Sequence, residues 1–126
     1  MRCPIEMPVA TSFGVMRDRP AVFGRIEDSD GCFGWGEVFA NWPAAGPEHR
    51  VNLLKADLGD LVLGFAAAAP GDLFQHLRRA TRLRALQCGE FGPFRQVIAG
   101  LDIALGGLCA RRRGSAAQAV EQDCAR

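Results

Sequence analysis

The sequence is poor in the residues that most often build catalytic and metal centres. Its 126 residues contain a single lysine, Lys55, and two histidines, His49 and His76, which stand far apart. A histidine metal site needs several ligands close together, so the sequence predicts no such site. Lys55 lies on a predicted helix outside any known motif, and we interpret it as a surface charge.

Apolar segments of membrane length are also lacking. No window approaches the ~18 to 20 apolar residues of a membrane span, and the N-terminus has no signal-peptide core. The five cysteines are odd in number and form no C-x-x-C pair, which indicates reduced thiols rather than disulfides or zinc ligands. They are Cys3, Cys32, Cys88, Cys109 and Cys124. We therefore predict a cytoplasmic protein that does not bind membranes.

Net charge gives no indication of a charged partner. It is +1, so we predict no nucleic-acid partner. The basic residues are nearly all arginines. They form two clusters, one made of Arg78, Arg79, Arg82 and Arg84 and the other of residues 111–113. Arginine clusters can bind phosphate, but on helices they more often form a solvated face, and this is our interpretation here.

A predicted β-hairpin over residues 19–41 organises the chain. Asp30-Gly31 lies between two apolar runs, and Asp-Gly is the strongest short-range hairpin signal because a type I′ turn needs positive φ at both central residues. A two-residue loop would place Ile26 opposite Trp35. The apolar face would then be Val22, Ile26, Phe33, Trp35 and Phe39. A three-residue turn would shift the register and reverse the faces.

Three helices are predicted after the hairpin, over about residues 48–58, from the N-cap Asp72 onward, and over about 94–113. The last helix has a large apolar stripe and, on its far side, a second stripe of mostly small residues. The first stripe is Phe94, Val97, Ile98, Leu101, Leu105 and Leu108; the second is Ala99, Ile103, Gly106 and Ala110. Before the hairpin, Pro4 and Pro8 allow at most a short edge strand. The predicted fold is α+β: a short N-terminal antiparallel β-meander followed by a three-helix bundle.

Several motifs resemble one enzyme family. They are TSFG at 11–14, RPAVFGRIEDSDGCFGWGE at 19–37, EHR at 48–50 and AGLDIAL at 99–105. Together they resemble the N-terminal capping domain of the mandelate racemase/muconate-lactonising enzymes of the enolase superfamily. The resemblance predicts a capping domain over residues 1–113 and a non-homologous tail over 114–126. Because the tail lacks an apolar stripe, we expect it to be disordered. We expect a chain truncated or frame-shifted ahead of the catalytic barrel.

The resemblance also implies where the chemistry lies. In this family a barrel domain holds Mg²⁺ and the lysine or histidine base that removes a proton next to a carboxylate. It therefore implies no catalytic residue, metal ligand or cofactor in this chain. Two loops of the capping domain touch the substrate, and they fall here at residues 11–17 and 39–49. The candidate substrate-facing residues are Ser12, Phe13, Asn41 and Trp42, although local packing is an equal alternative for Phe13 and Trp42.

Three functions stay open. The chain is a catalytically silent capping-domain fragment, half of a split enzyme that pairs with a separate barrel chain, or an independent oligomerising or binding module. In the first two cases racemisation, cycloisomerisation and acid-sugar dehydration all remain possible, because barrel residues decide among them. We expect the small-residue face of the last helix to be covered by a barrel in trans or by self-association.

Overall fold

A computed structural model describes residues 1–66 and 71–114. The predicted tail lies outside the described residues from position 115 onward, so its disorder stays a prediction. Among the residues that are described, no helix has both the length and the apolar character needed to cross a membrane.

Strands come first in the described chain and helices follow. The strands are β1 (Arg2–Thr11), β2 (Gly14–Pro20), β3 (Val22–Glu27) and β4 (Phe33–Val38). They form two antiparallel hairpins, β1 with β2 and β3 with β4. The helices are α1 (Gly46–Leu53), a π-helical turn (Leu54–Leu58), α2 (Gly59–Val62), α3 (Asp72–Ala80), α4 (Arg82–Gln87) and α5 (Phe91–Arg112). The predicted α+β class, with antiparallel strands ahead of helices, is confirmed.

The first strand is longer than its prolines predicted. β1 extends over ten residues, but its pairing register with β2 shifts between Pro4 and Val9. Because β1 pairs with β2 alone in its two-stranded sheet, it is an edge strand, and proline is tolerated at edges and irregularities. The prediction of a short strand was wrong because the irregular stretch lets the ladder resume beyond Pro8.

The turn of the second hairpin has three residues, not two. Glu27 pairs with Phe33, and the backbone N–H of Asp28 donates to the carbonyl of Cys32 over 2.9 Å, so residues 29–31 form the loop. The Asp28 carboxylate stabilises it by accepting from the backbone N–H groups of Asp30 and Cys32, at 2.9 and 3.0 Å. This shift moves the pairing by one position, and a one-residue shift reverses the two faces of a strand.

The predicted apolar face is therefore wrong for the aromatic residues. Trp35 and Phe39 are 53% and 55% exposed, and Phe33 lies on the same outer face as Trp35. The inner face carries Val22 and Val38, which are buried, together with glycines. The aromatic side chains point away from the helices because the inner face has no room for them.

Two glycines of β4 bring the strand against the backbone of α5. A Cβ atom added to Gly34 would overlap the carbonyl oxygen of Ala104, and one added to Gly36 would overlap that of Gly100. From the helix side, a Cβ at Gly100 would stand 2.5 Å from Cγ2 of Val38. The G-x-G sequence of β4 is thus a packing motif, in which the missing side chains allow close backbone contact.

The core forms around α5. All six residues of the predicted large apolar stripe are buried, which confirms the helical periodicity. All of them except Leu108 belong to one core cluster with Leu73 and Leu77 of α3 and with Leu53 and Leu58 from α1 and the π-helical turn. The far face of α5 does not join this core: Ile103 is 57% exposed.

The close contact predicts opposite effects for two glycine substitutions. Gly36→Ala should lower the free energy of unfolding by about 1–3 kcal/mol or more, because the added methyl group overlaps backbone. Gly106→Ala is the matched control, since a Cβ there meets open space. It should stabilise α5 by about 0.5–1 kcal/mol. Urea denaturation measures both, and a Gly36→Ala protein as stable as wild type would contradict the backbone contact.

Candidate functional site

Ser12 and Phe13 form the tip of the first hairpin. They make a two-residue turn between Thr11 and Gly14, which pair with each other. The Thr11 hydroxyl accepts from the Phe13 N–H at 3.2 Å and donates to the Gly14 carbonyl at 3.1 Å. Gly14 has φ +135°, a conformation that favours glycine. Phe13 is 82% exposed, and the loop predicted over 11–17 is mostly strand, because β2 already begins at Gly14.

Trp42 brings the second predicted loop to this tip. It lies in residues 39–45, between β4 and α1, and its ring packs beside Gly14. A Cβ atom added to Gly14 would lie 3.2 Å from Cη2 of Trp42. Asn41 and Trp42 are half-buried, whereas Ser12 and Phe13 are exposed. The structure thus places both predicted loops at one edge of the domain, joined by the contact of Trp42 with Gly14.

Arg50 ties this loop to the core helix. Its side chain is buried, with 3% exposure, and donates to Oε1 of Gln96 in α5 from Nε and Nη2, at 3.0 and 2.7 Å. The same guanidinium donates to the carbonyls of Trp42 and Gly46, at 3.3 and 3.4 Å. Burial lowers the pKa of Arg50, an effect that the Glu90 carboxylate opposes, and the guanidinium keeps its charge at neutral pH.

Arg2, in β1, also binds the loop. Its Nη2 donates to the carbonyl of Ala44 at 2.6 Å and to the Glu48 carboxylate at 2.9 Å, and its Nη1 donates to Asp18 at 3.2 Å. The hydrogen bond from Arg2 lowers the pKa of Glu48, and in return Glu48 raises the pKa of Arg2. Two loop carbonyls, those of Trp42 and Ala44, and the carbonyl of Gly46 at the start of α1 are therefore held by two arginines, one from β1 and one from α1.

Sequence reasoning missed these arginines. For Arg50 a signal existed, because Gly46, Arg50 and Leu53 follow the i, i+4, i+7 spacing of a buried helix face, and all three are buried. For Arg2 there was none, since Asp18 and Glu48 lie 16 and 46 residues away in sequence.

The described residues contain no group of three or more His, Cys, Asp or Glu side chains placed to hold a metal ion. Nε2 of His49 lies 2.9 Å from Oε2 of Glu90. His49 lies in α1 and Glu90 directly precedes α5, so we interpret this contact as a structural link between the two helices.

A family model decides the relationship of the chain. The model for the mandelate racemase / muconate lactonizing enzyme N-terminal domain matches residues 1–119. The chain belongs to this family. The strands, helices and paired loops described above are therefore those of an enolase-superfamily N-terminal domain.

Two relatives show how much of a whole enzyme this domain represents. An o-succinylbenzoate synthase from Thermosynechococcus vestitus is 34% identical over 89 residues, which are 71% of this chain and 24% of the relative. The crystal structure of a mandelate racemase/muconate lactonizing enzyme from Bordetella bronchiseptica RB50 matches with a TM-score of 0.75 and 46% identity. That match covers 90% of this chain and 30% of the solved one. The chain thus covers 24% of the first relative's length and 30% of the second's.

Removing Arg50 should release the loop. In a Trp35→Phe background, where Trp42 is the one remaining tryptophan, Arg50→Met should shift the emission maximum of Trp42 to longer wavelength. The unfolding free energy should fall by about 1.5–3 kcal/mol through the lost charge-assisted hydrogen bonds. Arg17→Met, at an exposed β2 position, serves as the control. A loss of stability with unchanged Trp42 emission would mean that Arg50 supports α1 and α5 but not the loop.

The Arg2–Glu48 contact predicts that the attachment of β1 to the start of α1 weakens in acid. Hydrogen bonding to Arg2 lowers the folded-state pKa of Glu48 from its ordinary value of 4.5. The Arg2–Glu48 contact therefore contributes its full stability above pH 4.5. The contribution is lost as pH falls through the folded pKa. A side-chain NMR titration should place the Glu48 pKa below 4.5, and Arg2→Met should raise it towards 4.5. Arg19→Met is the control and should leave the Glu48 pKa unchanged. An unchanged Glu48 pKa in Arg2→Met would contradict the hydrogen bond from Arg2 as the cause of the shift.

Proposed function

We propose that this domain caps the mouth of a (β/α) barrel in a Mg²⁺-dependent enzyme that removes a proton next to a substrate carboxylate. Family membership supports the capping role. The observation that carries the proposal is the contact of Trp42 with Gly14, which unites the hairpin tip and the 39–45 loop at one edge. Mg²⁺ and the base belong to the barrel, and this chain alone is catalytically silent.

The side chains of this edge suit a substrate lid. Phe13 extends from the hairpin tip into solvent, and Met7, Val9 and Val15 are exposed apolar side chains of the same hairpin. Apolar groups closing over a barrel mouth exclude water, which strengthens the electrostatic interactions inside. The Ser12 hydroxyl and the Asn41 amide can donate hydrogen bonds to substrate oxygens. We assign these side chains to substrate contact together with Trp42.

Preorganisation of the loop supports the same role. Arg50 and Arg2 hold the carbonyls of Trp42, Ala44 and Gly46, and therefore fix the backbone from which Asn41 and Trp42 extend. A positioned loop loses less conformational freedom when a substrate arrives, so more of the binding energy is available for orientation.

A second candidate function is self-association. The far face of α5 exposes Ile103, and Ala99, Gly106 and Ala110 beside it are half-buried. Small residues let another backbone approach closely, so this face suits either a barrel domain or a second copy of the chain. In the capping proposal the barrel covers it, whether within one polypeptide or in trans.

Reconstitution with a barrel tests the capping proposal. The chain is mixed with the barrel domain of the Bordetella relative and Mg²⁺, and α-proton exchange into deuterated water is measured on a panel of carboxylic acids. The chain alone should give no exchange, and the mixture should exceed the barrel alone. Phe13→Ala and Trp42→Ala should lower kcat/KM of the mixture by about 10- to 100-fold through misplaced substrate.

The control for these variants is Phe23→Ala. Phe23 is also more than half exposed, but it lies on the outer face of β3, away from the hairpin tip. It should leave kcat/KM unchanged. Stereospecific exchange by the isolated chain would overturn the proposal of a silent cap. Equal losses in all three variants would overturn the assignment of the two loops to the substrate.

A further inference from the structure

Four arginines converge on one cavity away from the proposed lid. The cavity has a volume of about 390 Å³ and lies between the α3–α4 segment and α5. Its charged lining consists of Arg78 and Arg79 at the end of α3, Arg82 at the start of α4, and Arg95 in α5. No carboxylate contributes to the lining.

None of these four guanidiniums has a carboxylate partner within residues 1–66 and 71–114, whereas Arg84 and Arg112 both do. Arg84, from the same sequence cluster, is paired with Asp57 at 2.8 Å. In the second cluster, Arg112 pairs with Asp28 and Asp30, and Arg111 donates to the carbonyl of Phe33. The fold thus uses Arg84, Arg111 and Arg112 for its own contacts.

Local charge is correspondingly one-sided. Residues 72–95 contain five arginines and two carboxylates, Asp72 and Glu90. Glu90 lies against His49, on the α1 side of the bundle. Like charges that face one cavity repel each other, and this repulsion is relieved when an anion binds between them.

The floor of the cavity strengthens this effect. It is formed by buried residues, namely Thr81, Ala85, Phe94 and Ile98. The Thr81 hydroxyl already donates to the carbonyl of Leu77 at 2.8 Å, so the floor offers an anion no free hydroxyl donor. Polar recognition must come from the rim of guanidiniums, whose planar forks bind phosphate oxygens in pairs.

We propose that this cavity binds a small ligand that carries a diphosphate group. Four guanidiniums match the roughly three negative charges of a terminal diphosphate group better than the roughly two of one phosphate or a dicarboxylate. The volume falls in the range of small-molecule pockets, about 300–1,000 Å³, and is too small for a macromolecule. Two helical segments and α5 supply the arginines, so binding also joins α3, α4 and α5.

Calorimetric titration of the full chain with inorganic pyrophosphate tests the site, with inorganic phosphate and succinate as comparison ligands at fixed ionic strength. Pyrophosphate should bind at least about tenfold more tightly than either, since it engages more charge-assisted hydrogen bonds. Arg78→Gln/Arg82→Gln should weaken pyrophosphate binding by about tenfold or more, and Arg95→Gln should also weaken it. NMR amide shifts on binding should centre on Thr81, Ala85 and Phe94.

The matched control is Arg17→Gln/Arg19→Gln, which removes the same charge from exposed positions of β2 and should leave pyrophosphate binding unchanged. Circular dichroism establishes that each variant is folded. Pyrophosphate that fails to bind at millimolar concentration, or binds no better than phosphate, overturns the proposal. An equal loss in the control overturns it as well, because binding would then follow net charge alone.

Discussion

The backbone contact between β4 and α5 determines much of the rest of the domain. Gly34 and Gly36 lie so close to the carbonyls of Ala104 and Gly100 that no side chain fits between them. This contact fixes which face of the hairpin is inner, and it therefore places Trp35 on the outer face. The buried stripe of α5 is then free to collect the other helices, since one side of the helix is already occupied by a strand.

The end of α5 secures the same hairpin by charge. Arg112 pairs with the carboxylates of Asp28 and Asp30 at 2.8 and 2.7 Å. Arg111 donates to the Phe33 carbonyl, and its guanidinium lies 4.3 Å from the Phe33 ring centroid, with Arg25 at the same distance. Cation–π contacts of this kind stabilise an aromatic ring at an exposed position. An aromatic residue in the outer face is thus accommodated without entering the core.

These contacts explain which parts of the fold could be predicted from sequence. The stripe of α5 was predictable because apolar residues at helical spacing must be buried together. The hairpin faces were not, since Asp-Gly is compatible with both loop lengths and aromatic residues rank as core by hydrophobicity. The contact that decides which face is inner is made by Gly34 and Gly36, and glycine has no side chain that a hydrophobicity pattern could detect. The register therefore depended on a tertiary contact that no local pattern expresses.

For the candidate site too, part could be predicted from the sequence and part could not. The family resemblance predicted substrate loops at residues 11–17 and 39–49. The structure brings the two segments together through Trp42 and Gly14, although residues 46–49 already belong to α1. The arginines that hold the loop act over long sequence distances, and Arg2 in particular lies in an exposed strand. Such contacts follow from the assembled domain, so they were visible only when the positions of β1, α1 and α5 were known.

Arg50 also links the 39–45 loop to α5 through hydrogen bonds. Its guanidinium is bonded both to the Trp42 carbonyl and to Gln96 of α5, so a displacement of the helix moves the loop with it. Any partner docked on the Ile103 side of α5 and any ligand at Trp42 would therefore contact segments that Arg50 joins. By linkage, any effect of one on the affinity of the other would be reciprocal and of the same size.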